Sequence, residues 1–203
     1  MESIQKFNSI FVIDFEATCD NNKLFGPPEI IEFPCIQIKT KAFQTVDTFH
    51  EYVCPTRNPQ LTQFCTELTG ISQDTVENAD TFPIVFQRFQ SWLESRTGSS
   101  RQQSQNSYAM LCCGDWDLQT MLPSQCKLEG LEVPAYCHRF INVKRTYSSY
   151  MGNKPRGMMT MVNELGLKAT GRHHSGIDDT KNIVSIVQQL ALRGCVFEIN
   201  AEI

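Results

Sequence analysis

The order of apolar and polar positions divides the chain into strand-like and helix-like segments. Ser9 to Ala17 (SIFVIDFEA) opens with β-branched and aromatic residues and closes on acids, the pattern of a buried central strand with a polar C-terminal end. Glu29 to Lys39 alternates as a second strand and Thr45 to Cys54 as a third, with Pro34 and Pro55 marking a bulge or boundary. Three successive strands with short connections predict an antiparallel meander. Thr62 to Gly70 reads as a short helix stopped by glycine, and Ser72 or Asp74 can cap another. From Thr81 to Ser95, Phe82, Val85, Phe86, Phe89, Trp92 and Leu93 recur at three-four spacing, with Thr81 as N-cap and Pro83 in the first turn, so this helix is expected to pack on the sheet. Thr97 to Ser107 is polar and expected to be a flexible loop before a fourth strand, Tyr108 to Cys113. Helices are predicted over Trp116 to Cys126, Ile141 to Tyr150, Met158 to Leu165 and Asp178 to Leu192, and Cys195 to Ile199 adds a short terminal strand. The expectation is an α/β fold: one domain, residues 1–203, with a mixed five-stranded sheet flanked by helices.

Length and composition agree, since 203 residues at 41% apolar suit one core. No apolar run reaches the roughly 20 residues that cross a bilayer, and Met1 to Asn8 lacks an apolar signal core, so an intracellular, cytoplasmic or nuclear, protein without membrane contact is expected. Nine cysteines, an odd number without C-x-x-C spacing, read as free thiols and argue against structural zinc. The net charge of −4 disfavours a general nucleic-acid binder. Its distribution changes that picture. Between His138 and Arg172 stand seven basic residues (Arg139, Lys144, Arg145, Lys154, Arg156, Lys168, Arg172) against the single acid Glu164. Such a cluster can be a solvated face or can guide a phosphate backbone.

Three acidic places sit where core elements end. Asp14 and Glu16 lie two apart on a strand and leave the same face, where they repel unless a cation lies between them; the same pair also fits an exposed polar edge. In Cys113 to Asp117, Asp115 holds the cap position and leaves Asp117 freer to reach a metal, while Trp116 is either a core plug or a stacking surface. In Arg172 to Asp179, a histidine followed by an acid on a glycine-containing loop can present a base and a metal ligand to one point, with Asp178 as cap and Asp179 as ligand.

FVIDFEATC, GDWDLQTML and RHHSGIDDTKN together resemble the three exonuclease motifs of the DEDDh superfamily, and more narrowly the Eri-1-like 3′ exoribonucleases. The likeness extends through EIIEFP, PQLTQFCTELTGI, ADTFP and INVKRTYSSYMG and covers nearly the whole chain. It implies a ribonuclease-H-like fold. It implies Asp14, Glu16, Asp117 and Asp179 as metal-binding carboxylates, Glu16 also serving catalysis, with His174 as general base. His174 is preferred over His173 because it keeps the family's four-residue gap to Asp179. Phe15, Ala17 and Thr18 are expected to line the nucleotide, Leu68 and Thr69 to hold the terminal base and ribose, and Trp116 to add a face.

The implied activity is removal of 5′-mononucleotides from the 3′ end of single-stranded RNA, with two Mg²⁺ or Mn²⁺ ions per site. A nuclease acting on DNA or on both polymers is the alternative, because stacking sites tolerate either sugar. A non-catalytic RNA-binding adaptor is a third reading, disfavoured by the presence of all four acids and the histidine. Neither the basic RNA-binding domain that precedes the nuclease in some relatives nor the zinc module that follows it in others stands in these residues, so a targeting element is expected to be either missing or supplied by a protein partner.

Overall fold

The computed structural model describes residues 5–21, 26–98 and 108–203. Strand β1 (Ser9–Ile13) is buried at every position, as its uninterrupted apolar run requires. Its side chains alternate between two cores: Phe11 and Ile13 join one, Ile10 and Val12 the other. Strands β2 (Glu16–Ala17), β3 (Ile30–Lys39) and β4 (Gln44–Tyr52) follow, then β5 (Tyr108–Cys112), β6 (Arg139–Asn142) and β7 (Ala201–Glu202). β3 pairs antiparallel with β4 on one side and with β1 and β2 on the other. Beyond β1 come β5 and β6, both parallel, and then antiparallel β7.

Helix α3 (Phe82–Thr97) covers one face, burying Phe82, Val85, Phe86, Phe89 and Leu93. On that face Phe33 of β3 meets Phe15, Phe49, Phe82, Phe86 and Phe89. Helices α5 (Val143–Met151), α6 (Met158–Glu164) and α7 (Gly176–Leu192) cover the other face. Two short helices, α1 (Gln63–Thr69) and α2 (Gln73–Glu77), are capped by Thr62 and Ser72, whose side chains accept from Cys65 N and Thr75 N.

The α/β fold with a mixed sheet and flanking helices is as expected, and four of its seven strands, β1, β3, β4 and β5, lie where the sequence pattern predicts them. The two additional strands have separate origins. The Ser9 to Ala17 segment is not continuous: the ladder breaks at Asp14 and Phe15 and resumes as β2. Pro34 falls opposite this break, so its missing N–H interrupts no pairing there, and the register shift on the β4 side comes later, between Gln37 and Ile38. The second is β6. Ile141 and Asn142, read as the start of a helix, belong to this strand, and Asn142 then caps α5 by accepting from Lys144 N and Arg145 N.

The terminal strand lies at Ala201–Glu202 rather than over Cys195 to Ile199. The helix after β5 begins as a π-helix (Trp116–Met121) and becomes α4 (Leu122–Leu128). Most of the predicted loop, residues 99–107, lies outside the described residues.

Candidate active site

The parallel strands β1, β5 and β6 all point their carboxyl ends at one place, the usual location of a site in such a sheet. Asp14 follows β1, Cys113 to Asp117 follow β5, and Lys144 follows β6. The N-terminus of α7 closes the fourth side. Asp14, Phe15, Glu16, Cys113, Trp116, Asp117, Lys144, Met158, His173, His174 and Asp179 line a cavity of about 290 Å³. A larger cavity of about 1010 Å³ lies by the β3–β4 turn and the end of α7, with Lys39 and Lys41 in its wall but no acid, so the chemistry belongs to the smaller one.

The kink after β1 sets the first carboxylates. Phe15 N, released from the ladder, donates to Asp117 Oδ1 at 2.9 Å, which ties the first motif to the π-helix. That extra-residue turn puts Asp117 in the helix opening with its side chain buried. Asp115 does not cap with its side chain; it pairs with Arg145 at 2.9 Å and accepts from Asn142 Nδ2 at 2.8 Å.

At the other side, Ser175 rather than Asp178 holds the N-cap position of α7. Asp178 sits in the first turn, accepting from Arg172 N and pairing with Lys181. The α7 N-terminus is held instead by Glu32, only 1% exposed, which accepts from Gly176 N at 2.9 Å and Ile177 N at 3.0 Å. A carboxylate there satisfies donors the helix cannot use internally and complements its dipole. Gly176 is required by close approach: a Cβ would stand 2.8 Å from Asp14 O and 3.1 Å from Glu32 Oε2.

His174 adopts φ +65°, a left-handed conformation costly for a non-glycine residue. This turn lets two groups converge on Asp179: His174 N at 2.8 Å and His173 Nδ1 at 2.9 Å both meet Oδ2. The two imidazoles stack with centroids 4.0 Å apart. Burial, the neighbouring His173 and Arg172 together outweigh Asp179 and hold the His174 pKa below its ordinary value, so the ring is neutral and able to accept a proton at neutral pH.

Four carboxylates without a counter-charge are electrostatically costly. Burial, then Asp117, Asp179, Glu16 and Glu32, push Asp14 well above the usual carboxylate range. Glu16 is raised to about 8, by burial first and then by Glu32, Asp179 and Asp117. Asp117 rises to about 6 through burial, restrained by the Phe15 N–H and by Lys144. Carboxylate oxygens of Asp14, Glu16 and Asp179 all lie within 4.8 Å of one another. Asp179 Oδ1 is buried with no hydrogen-bond partner. An orphaned buried oxygen beside mutually repelling carboxylates fits a hard divalent cation, which accepts all-oxygen ligands.

The expected site residues divide into two groups. Asp14, Phe15, Glu16, Trp116, Asp117, His174 and Asp179 share the cavity. Trp116 is 45% exposed at its rim and is no core plug. Ala17, Thr18, Leu68 and Thr69 lie outside its walls. Thr18 Oγ1 accepts from Glu29 N, and Thr69 Oγ1 bridges Cys65 O and Ile71 N, so both hydroxyls are already engaged. Leu68 is tied to the histidine loop, because the Arg172 guanidinium donates to the carbonyls of Glu67 and Leu68 at the end of α1. Sequence reasoning missed Glu32, His173, Lys144, Cys113 and Met158. Lys144 had a signal in the basic cluster; Glu32 had none, since its burial depends on where α7 docks.

Residues 11–187 match the exonuclease family of RNase T type, and the chain belongs to that family. It is 43% identical over 195 residues to ERI1 exoribonuclease 3 of Homo sapiens, covering 96% of this chain and 57% of that protein. Against 3′-5′ exoribonuclease 1 of Mus musculus the identity is 38%, over 97% of this chain and 57% of the relative. The chain thus spans a little over half the length of these relatives. Among solved structures, the nuclease domain of 3′hExo, a DEDDh family member bound to rAMP, superposes with a TM-score of 0.91 at 36% identity, covering 97% of this chain and 98% of that one. The ribonuclease-H-like fold and the divalent-metal dependence general to the family accord with the acid cluster.

Proposed function

We propose that this chain is a 3′-to-5′ exonuclease that hydrolyses single-stranded RNA from its 3′ end. The observation that carries the reading is the convergence of Asp14, Glu16, Asp117, Asp179 and His174 on one cavity. The four carboxylates would hold two Mg²⁺ or Mn²⁺ ions, which when bound supply charge neutralisation at the phosphate and a more acidic water. His174 would take a proton from the attacking water as its oxygen bonds to phosphorus. The bond from phosphorus to the 3′-oxygen of the preceding nucleotide breaks, and that oxygen takes a proton from solvent water and stays on the shortened strand as its new 3′-hydroxyl. The product is a nucleoside 5′-monophosphate.

Phe15 and Trp116 give the terminal nucleotide apolar surface inside the cavity and at its rim. The names of the relatives, exoribonucleases, support RNA, as does a neighbour bound to rAMP. The exposed Trp116 face favours a second reading, action on DNA as well, because stacking does not distinguish the sugars. Matched RNA and DNA oligonucleotides of one sequence, incubated in Mg²⁺ and in Mn²⁺ with product identified by chromatography, separate these readings. Faster release of ribonucleoside 5′-monophosphates supports RNA. Equal rates on both polymers support the second, and no release from either overturns the assignment.

A further inference from the structure

We propose that Lys144 is a catalytic residue whose ammonium group donates to a non-bridging oxygen of the scissile phosphate. The inference rests on the nuclease reading above. Of the residues lining the cavity, Lys144 alone is a lysine or arginine, against four carboxylates and two imidazoles. Its placement is built into the fold. Asn142 ends β6 and caps α5 by accepting from Lys144 N at 2.9 Å, which fixes where the lysine leaves the helix. The side chain then reaches the opposite loop, where Nζ stands 3.7 Å from the position a Cβ on Gly114 would occupy. Gly114, with φ +121°, has no side chain to crowd it.

The two adjacent cations have separate engagements. Arg145 is held by Asp115 and the carbonyl of Asn200. Lys144 forms no ion pair among the described residues, although Asp117 and Asp179 line the same cavity. An ammonium whose task was only to balance Asp117 would sit against it. One that faces the cavity without a partner is placed for an incoming anion, and a lysine offers a point charge suited to a single oxygen. As phosphorus becomes five-coordinate, its non-bridging oxygens gain negative charge, so a fixed cation there binds the transition state more strongly than the substrate. Its effect at a distance is already visible, since Lys144 helps restrain the rise in the Asp117 and Cys113 pKa values.

The test compares wild type, Lys144→Met and Lys144→Arg by single-turnover cleavage of a 5′-labelled RNA at saturating Mg²⁺. RNA affinity is measured by anisotropy in EDTA, and Mg²⁺ binding by thermal shift. The expected result is a loss of about 10²-fold in rate for Lys144→Met, with RNA affinity and the Mg²⁺ midpoint within about 3-fold of wild type, and recovery to within about 10-fold by Lys144→Arg. Should Lys144→Met not fold, Lys144→Gln is measured in the same way. A rate within about 3-fold of wild type overturns the proposal. So does a loss confined to RNA affinity, which marks general strand attraction, or one removed by more Mg²⁺, which marks support of the metal site. Absence of cleavage by wild type itself overturns the nuclease reading instead.

Discussion

Replacing Glu16 by Gln is expected to stabilise the metal-free protein while destroying its response to metal. The fold raises the Glu16 pKa from 4.5 to about 8. A carboxyl that ionises less readily when folded makes its full contribution to stability below its unfolded value and loses it as pH rises through the folded value. Between pH 4.5 and 8 wild type therefore loses stability at this residue, and the neutral glutamine does not. At about 1.4 kcal/mol per pH unit the span corresponds to about 4–5 kcal/mol, and screening by water in the open cavity reduces this to about 2 kcal/mol. In a domain of this size that is a Tm difference of about 4–8 °C. Thermal unfolding in EDTA should show Glu16→Gln equal to wild type near pH 4.5 and more stable by that amount near pH 8. In Mg²⁺ the order should reverse, because wild type gains from the ion and the variant gains little. A variant no more stable than wild type at pH 8 in EDTA would refute the reasoning that burial and the neighbouring acids make the Glu16 charge costly.

Three further outcomes follow from the geometry. His174→Ala should lower the cleavage rate by about 10²- to 10⁴-fold, and because the wild-type imidazole is held below its ordinary pKa of 6.5, a wild-type pH–rate profile should keep its activity down to a pH below that value before protonation removes the base. An inflection above 6.5 would contradict this. Gly176→Ala places a methyl group 2.8 Å from Asp14 O and should cost about 2 kcal/mol in denaturant unfolding while slowing turnover, since relief requires moving Asp14 or the start of α7. Trp116→Ala should weaken RNA binding by about 10-fold with little change in Tm, as an exposed indole contributes stacking rather than core packing; an unchanged affinity counts against its role at the rim.

Much of this arrangement was legible because it is local. The apolar run before Asp14 specified a central strand, and the spacing of Phe82, Val85, Phe86 and Phe89 specified the face of α3 that is buried. The acids could be recognised because each stands where an apolar element ends or a helix begins, Asp14 and Glu16 after the run of β1 and Asp117 and Asp179 in first helical turns, although the ladder breaks between the first two. What escaped depended on contacts distant in sequence. Nothing near Ile141 shows that β5 will lie beside it, so a β-branched strand followed by a capped helix looked like one helix. Asp115 has the composition of a cap, yet the distant Arg145 and Asn142 claimed its side chain, whereas Asp178 is taken by nearer groups, the Arg172 N–H and Lys181 in its own helix. Glu32 reads as the polar member of an alternating strand and is buried only because the α7 N-terminus brings two N–H groups to it. His173 could not be linked to Asp179 from spacing, since the contact follows from the left-handed turn at His174.

The central claim, that the acid cluster drives metal-dependent removal of 3′-terminal nucleotides, is tested most directly by one gel. Single-stranded RNA labelled at the 5′ end in one sample and at the 3′ end in another is incubated with wild type or Asp14→Asn, in Mg²⁺ or EDTA. The expected result is a 5′-labelled ladder that shortens one nucleotide at a time and immediate release of the 3′ label as a mononucleotide, both abolished by EDTA and by the substitution. Internal fragments appearing first, or undiminished cleavage by a folded Asp14→Asn variant, would contradict it.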